Sequence, residues 1–178
     1  MKRTILIFGL ISGVISSVMM VSTLPFVHKM GASQGLIIGY TSIVLSFMLV
    51  FFGIRSYREN VGNGEITFGT AFLVGIGITL ISCVFYVATW EIIYFKFMPN
   101  FMDNYGSSTI EKLRAAGATA EVIQAKVKEF DQLKESYKNP LYNSALTFLE
   151  PFPVGLLITL ISAGILRKKR KVQMAATS

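Results

Sequence analysis

Residues 68–90 read FGTAFLVGIGITLISCVFYVATW, 23 positions from Phe68 to Trp90 without one charged side chain. A helix needs about 20 apolar residues to cross the ~30 Å hydrocarbon core of a bilayer. This stretch is therefore a transmembrane helix, and it stays apolar past Glu91 as far as Phe97. Thr4–Val27 and Gln34–Ile54 are likewise long and uncharged. Pro151–Leu166 is shorter and reaches spanning length only with Leu141–Leu149 added, which leaves Glu150-Pro151-Phe152-Pro153 inside it. The reading is an all-α polytopic membrane protein forming a single membrane domain over residues 1–178, with spans at about 4–27, 34–54, 68–97 and 141–166. An extracytoplasmic helical segment, 99–140, joins spans three and four, and a basic tail, 167–178, follows.

The whole composition agrees. The chain has 178 residues, 52% hydrophobic and only 15% charged, where a soluble domain carries roughly 25% charged residues. Mean hydropathy is +0.56. A single cysteine, Cys83, leaves no intramolecular disulfide or cysteine-rich zinc site, and a single histidine, His28, leaves no multi-histidine metal site. No phosphate-binding glycine loop or nucleophile elbow occurs, so no cofactor is expected. The net charge of +7 lies beside the spans. Arg167-Lys168-Lys169-Arg170-Lys171 follows the fourth, and Lys2-Arg3 precedes the first. Bases placed so follow the positive-inside rule and meet anionic headgroups. No aromatic and basic surface for nucleic acid accompanies them.

Counting bases per loop puts Lys2 and Arg3, Arg55 and Arg58, and the tail on one side, the cytoplasmic one. The near-neutral 96–140 segment is then outside. The first span begins like a signal peptide, but its apolar run exceeds a normal h-region and no A-x-A-like site follows, so a retained helix is expected.

In the connections, Gly62-Asn63-Gly64 is a turn signal within a 55–67 loop. Asp103-Asn104-Tyr105-Gly106 reads as loop, and Ser108-Thr109-Ile110-Glu111 as a capping box opening a short helix that ends near Gly117. Thr119 is a second N-cap. Ile123, Val127, Phe130, Leu133 and Tyr137 recur at helical spacing, predicting an amphipathic helix over 119–138 with the first four buried on one side. This helix suits a lid over the bundle, a headgroup-layer helix or a partner's docking face.

Small residues recur four apart in every span: Gly9, Gly13 and Ser17; Gly35 and Gly39, then Ser42 and Ser46; Ala71, Gly75 and Thr79; Gly155, Thr159 and Ala163. Such stripes let helix backbones approach closely. Val74–Ser82 and Val154–Ser162 share 7 of 9 residues on helices that run in opposite directions. Either this is an inverted repeat of the kind transporters use, or two apolar segments drawn from few residue types coincide.

The stretch Arg55-Ser-Tyr-Arg58, then Asn63-Gly64-Glu-Ile-Thr-Phe68, a glycine-rich span ending Phe85-Tyr86 and Trp90-Glu91, and the Gly155–Leu166 ending resemble an uncharacterised family of bacterial four-helix inner-membrane proteins. That family is catalogued as a domain of unknown function, number 4199. The resemblance implies the fold and an inner-membrane address, and implies no activity.

The expected function is that of a non-enzymatic membrane protein, an accessory or assembly component with the outer helical segment as its contact surface. Its partners would be the bilayer, a second copy or another membrane protein, and no nucleic acid. The alternative is a small transporter or channel subunit. Glu91 and Glu150, the acids within apolar sequence, form with His28 and Lys96 a candidate polar intramembrane site near the outer interface, where intramembrane acids commonly bind a cation or proton. The structural alternative has Glu91 reaching headgroups between Trp90 and Tyr94 as an aromatic belt. Glu150 would then sit at a helix start whose dipole favours an anion, with Pro151 first in the helix. Arg167, Lys168, Lys169, Arg170 and Lys171 are the candidate headgroup contacts.

Overall fold

Apolar spans with hydroxyl-bearing stripes dictate helices that satisfy their own backbone and meet along the stripes. A computed structural model describes residues 1–23 and 32–168 and shows this arrangement. The helices are α1 (Lys2–Thr23), α2 (Ala32–Asn60), α3 (Phe68–Ile92), a π-helical turn (Ile93–Phe97), α4 (Phe101–Ala115), α5 (Ala120–Tyr137), α6 (Pro140–Leu149) and α7 (Pro151–Leu166). Four segments are long and apolar enough to cross a membrane: Lys2–Thr23, Ile37–Asn60, Phe68–Phe97 and Pro140–Leu166. The protein is an all-α, multi-pass membrane protein. The described chain divides into two compact units, one of Met1–Tyr86 with residues from Glu150 onward, the other of Val87–Leu149.

The first unit buries hydroxyl residues among Val50, Ile54, Val74 and Ile78 and leaves large apolar residues exposed. Ser12, Ser16, Ser46, Thr79, Ser82, Thr159 and Ser162 are buried, while Leu10, Val18, Leu73, Val84, Leu157 and Ile165 are exposed. Glycines bring the helices together. A Cβ on Gly9 would lie 2.8 Å from Ile81 and one on Gly13 2.6 Å from Phe85, so α1 and α3 pack in parallel. Gly75 lies under Thr159 and Gly155 under Thr79, so α3 and α7 pack antiparallel. Gly35 and Gly39 of α2 have no neighbour within 4 Å among the described residues. The hydroxyls then bond between helices: Ser12 Oγ donates to the Ser46 carbonyl at 2.8 Å, Ser82 Oγ to the Gly9 carbonyl at 3.5 Å, and Thr79 and Thr159 share a bond of 3.0 Å. Cys83 is a buried packing residue.

α2 outruns the expected end of its span, Ile54, by six residues, so the 55–67 loop is shorter than its charges suggest. The bases stay helical because the helix end gives them partners: Arg58 donates to the Leu166 carbonyl at 3.3 Å and pairs with Glu59. The turn comes where glycine demands it. Asn63 and Gly64 have φ of 50° and 82°, and a Cβ on Gly62 would strike the Glu65 carbonyl oxygen at 2.1 Å. After this turn Ile66 pairs with Lys168 through two main-chain bonds.

The second unit contains the end of α3, the π-turn and α4 to α6. The expected loop at 103–106 and capping box at Ser108 are corrected by α4, which runs unbroken from Phe101 to Ala115. Met102, Gly106 and Ile110, four apart, are its buried stripe, and tertiary burial outweighs the turn preferences of Asp, Asn and Gly. The helix ends as expected at Gly117, φ 74°. There Ala118 N–H bonds the Leu113 carbonyl and Gly117 N–H that of Arg114, a Schellman closure. Thr119 caps α5, its hydroxyl accepting from the Val122 N–H at 3.4 Å. The amphipathic helix exists, but the expected burial of its face is corrected. Ile123, Phe130, Leu133 and Tyr137 are half-buried and Val127 is exposed; α5 packs mainly on α4 and α6, with Tyr137 also meeting Tyr94.

Candidate functional site

Span four is discontinuous where its acid lies. Pro151 and Pro153 supply no N–H, so the helix of α6 cannot continue regularly into α7. Pro151 is the first residue of α7, as expected, but the Glu150 side chain does not cap it. Glu150 Oε2 instead accepts from the Tyr86 hydroxyl of α3 at 3.0 Å. Just within, Ser16, Ser46, Ser82, Tyr86 and Pro151 surround a cavity of only ≈ 10 Å³. The hydroxyls of this region are spent on backbone carbonyls.

Glu91 and Lys96 belong to the second unit. Lys96 is exposed on the π-turn. The belt reading of Trp90 and Tyr94 is corrected: Tyr94 is buried and Trp90 half-buried, and both join a packed aromatic cluster. Trp90 meets Phe101 edge-on at 5.0 Å and Tyr94 at 5.9 Å, Phe101 stacks on Tyr105, and Tyr105 meets Phe130 at 5.7 Å. Beneath Trp90 lies Asn143, fully buried, whose Oδ1 accepts from the indole N–H and from the Thr147 hydroxyl, each at 3.1 Å. Two atoms of this unit are buried with no hydrogen-bond partner among the described residues, Glu91 Oε1 and Asn143 Nδ2. One accepts and the other donates, so both can be satisfied by water. π-turns often accompany functional sites, and this one begins two residues after Glu91.

A family model described as a protein of unknown function (DUF4199) matches residues 7–168. The chain belongs to the DUF4199 family. No curated protein and no solved structure matches it.

Of the candidate residues, this DUF4199 protein therefore holds Glu150 in one unit and Glu91 and Lys96 in the other, and His28 lies outside the described residues. Arg167 and Lys168 are exposed at the end of α7, and Lys169, Arg170 and Lys171 lie outside the described residues. Asn143 and Thr147 were not singled out from the sequence, and Tyr86 entered only through the family resemblance. An uncharged Asn three residues beyond Pro140, and four before Thr147, was the available signal, since a polar pair at helical spacing inside a span requires a partner.

The two similar segments, Val74–Ser82 and Val154–Ser162, lie against each other. Their equivalent residues meet: Gly75 against Thr159, Gly155 against Thr79, and Thr79 hydrogen-bonded to Thr159. Thr79 also donates to the Gly155 carbonyl at 3.4 Å. The two segments pack on one another about a local pseudo-twofold axis perpendicular to the helices.

Proposed function

We propose that this protein is a non-enzymatic accessory or assembly component of the bacterial inner membrane, with both termini cytoplasmic and α4–α5 outside as its contact surface. The observation that carries the reading is the unfinished packing of α5, which has no fully buried residue although it bears a regular apolar stripe. Beside it a groove of ≈ 350 Å³ runs between α4 and α5 over Met102, Ile110 and Phe130, edged by both charge signs. A face of this kind suits a protein partner better than a lipid surface, which selects a basic helix. A photo-crosslinker at Val127 in native membranes tests it. One discrete crosslinked protein is expected, and crosslinks to lipid alone would refute it. A C-terminal fluorescent fusion that stays dark, with an active periplasmic phosphatase fusion in its place, would refute the orientation.

The second reading is a small transporter or channel subunit using Glu91 and Glu150. It is favoured by the break in span four at Glu150 and by the reciprocal packing of the two similar segments. Proton or cation flux in proteoliposomes, abolished by Glu91→Gln with Glu150→Gln, is its expected signature. Equal flux in the double variant would refute it.

A further inference from the structure

At the end of the first unit where α2 turns into α3, the turn and the start of the tail enclose an open cleft of ≈ 450 Å³ lined by Tyr57, Gly62, Glu65, Ile66, Thr67, Thr70 and Lys168. Lys168 does not trail from the bundle. Its N–H bonds the Ile66 carbonyl at 2.9 Å, its own carbonyl receives the Ile66 N–H at 3.1 Å, and Ile66 is buried. The backbone thus fixes the position from which this ammonium projects.

Helix register gives the level of the cleft. Ile5 lies on Gly77, Gly9 on Ile81 and Gly13 on Phe85, a constant offset of 72, so Lys2 and Arg3 stand level with residues 74 and 75 of α3. Gly53 faces Ile78, and Val50 and Ile54 face Gly75, which brings Arg55 and Arg58 to the same region. These four bases mark the hydrocarbon boundary. Thr70 lies about four to five residues, roughly 7 Å, beyond it, and Thr67 stands just before the first residue of α3, at the outer edge of the headgroup layer. A headgroup layer is some 5–8 Å thick per leaflet, so the cleft opens at headgroup depth.

Its chemistry suits a phosphate ester. Lys168 is the base among its lining residues. Of the acids nearby, Glu59 is taken by Arg58, and Glu65 lines the cleft. The Thr67 and Thr70 hydroxyls are 2.9 Å apart, so one proton lies between them and the other is available to donate. The Tyr57 hydroxyl adds a further donor.

We propose that this cleft binds the phosphate of an anionic phospholipid, with the Lys168 ammonium as the charge partner and the Thr67–Thr70 pair and Tyr57 as hydrogen-bond donors. The site differs from delocalised attraction of the tail to the membrane, because it rests on one base held by main-chain pairing. It is independent of the accessory and transporter readings.

The test titrates short-chain phosphatidylglycerol, short-chain phosphatidylcholine and inorganic phosphate separately into the full chain in neutral-detergent micelles, following thermal stability and bound lipid by native mass spectrometry. Saturable retention of phosphatidylglycerol is expected, with neither phosphatidylcholine nor inorganic phosphate protecting. Lys168→Ala leaves the main-chain pairing intact and should weaken the binding at least tenfold. Neutralising Lys169, Arg170 and Lys171 together to Gln should change it less than threefold. Glu65→Gln, which removes the one acid in the cleft, should tighten it two- to threefold. Unchanged binding in Lys168→Ala, weaker binding in Glu65→Gln, or loss only in the tail variant would overturn the cleft. Equal protection by inorganic phosphate would overturn the lipid.

Discussion

The two units solve the same packing problem with opposite materials. In the first, hydroxyls such as Ser12, Ser46, Thr79 and Thr159 are buried among Val50, Ile54, Val74 and Ile78, while Leu10, Leu73, Val84 and Leu157 are exposed. In the second, Met102, Ile110 and Tyr94 are buried while charged residues such as Glu121, Lys128 and Asp131 are exposed. The difference teaches which solvent each was built against. Lipid supplies no hydrophobic drive between helices, so the first unit relies on close backbone approach and hydroxyl bonds. The α4–α5 hairpin has the pattern of a helix pair built against water, gathering rings and aliphatic groups and leaving its ion pairs exposed. The chain carries a built-in reporter for each: its one cysteine, Cys83, is buried in the first unit, and its one tryptophan, Trp90, lies in the second.

The largest expected effect is Gly155→Leu. Even a Cβ there would lie 2.4 Å from Thr79 Cγ2 and 2.8 Å from Phe47, and overpacking of this kind costs ~3 kcal/mol or more. Thiol modification of Cys83 in mild detergent should accelerate at least tenfold while Trp90 emission holds. Unchanged Cys83 protection would break the account of the glycine faces.

Phe130→Ala should act in the mirror sense. Loss of a half-buried ring that meets Tyr105 at 5.7 Å and lies under the Lys126 ammonium should cost ~2 kcal/mol, below the figure for a fully buried phenylalanine. Trp90-monitored unfolding should move to lower temperature with Cys83 labelling unchanged. Equal shifts in both reporters would show the comparison between the units to be too sharp. A smaller effect, ~0.6 kcal/mol, is expected for Thr79→Val. The isosteric side chain keeps its contact with Gly155, and the Thr159 hydroxyl can fall back on its own helix backbone. A loss near 3 kcal/mol would mean that the hydroxyl pair, rather than the glycine contact, holds α3 to α7.

The fold was legible because a bilayer sets a length that apolar runs such as 68–90 meet without ambiguity. Gly62-Asn63-Gly64 and Thr119 were legible because positive φ and helix capping are local demands. What stayed hidden depended on distant residues. The buried stripe of α4 passes through Asp103-Asn104-Tyr105-Gly106, whose local preference is a turn, and distant partners, Phe130 opposite Gly106 and Trp90 against Phe101, stabilise the helix. Tyr86 and Glu150 are 64 positions apart, and no periodicity announces their bond. Asn143 carries no charge, so its signal, a polar pair with Thr147 four positions on, is fainter than that of Glu91, although it is the more deeply buried of the two.

The smallest expected effect sharpens the watery side of the comparison. Lys134 of α5 forms an ion pair with Asp103 of α4, and its hydrogen bond to that carboxylate holds its pKa above the ordinary lysine value of 10.5. A base whose folded pKa is raised contributes stability that is fully present below the unfolded value and is lost as pH rises through the folded one. The window therefore lies above pH 10.5, and nothing should change between pH 6 and 9. The pair is also exposed, and exposed pairs contribute little and are screened by salt. Lys134→Met should consequently lower the Trp90-monitored midpoint of the full chain slightly, by the same amount at pH 6 and pH 9. The gap should narrow in 1 M salt and close only above the lysine range. A gap that varied between pH 6 and 9 would mean that Lys134 answers to some group other than Asp103. A gap indifferent to salt would mean that its aliphatic stem, packed along the α4–α5 groove, matters more than its charge.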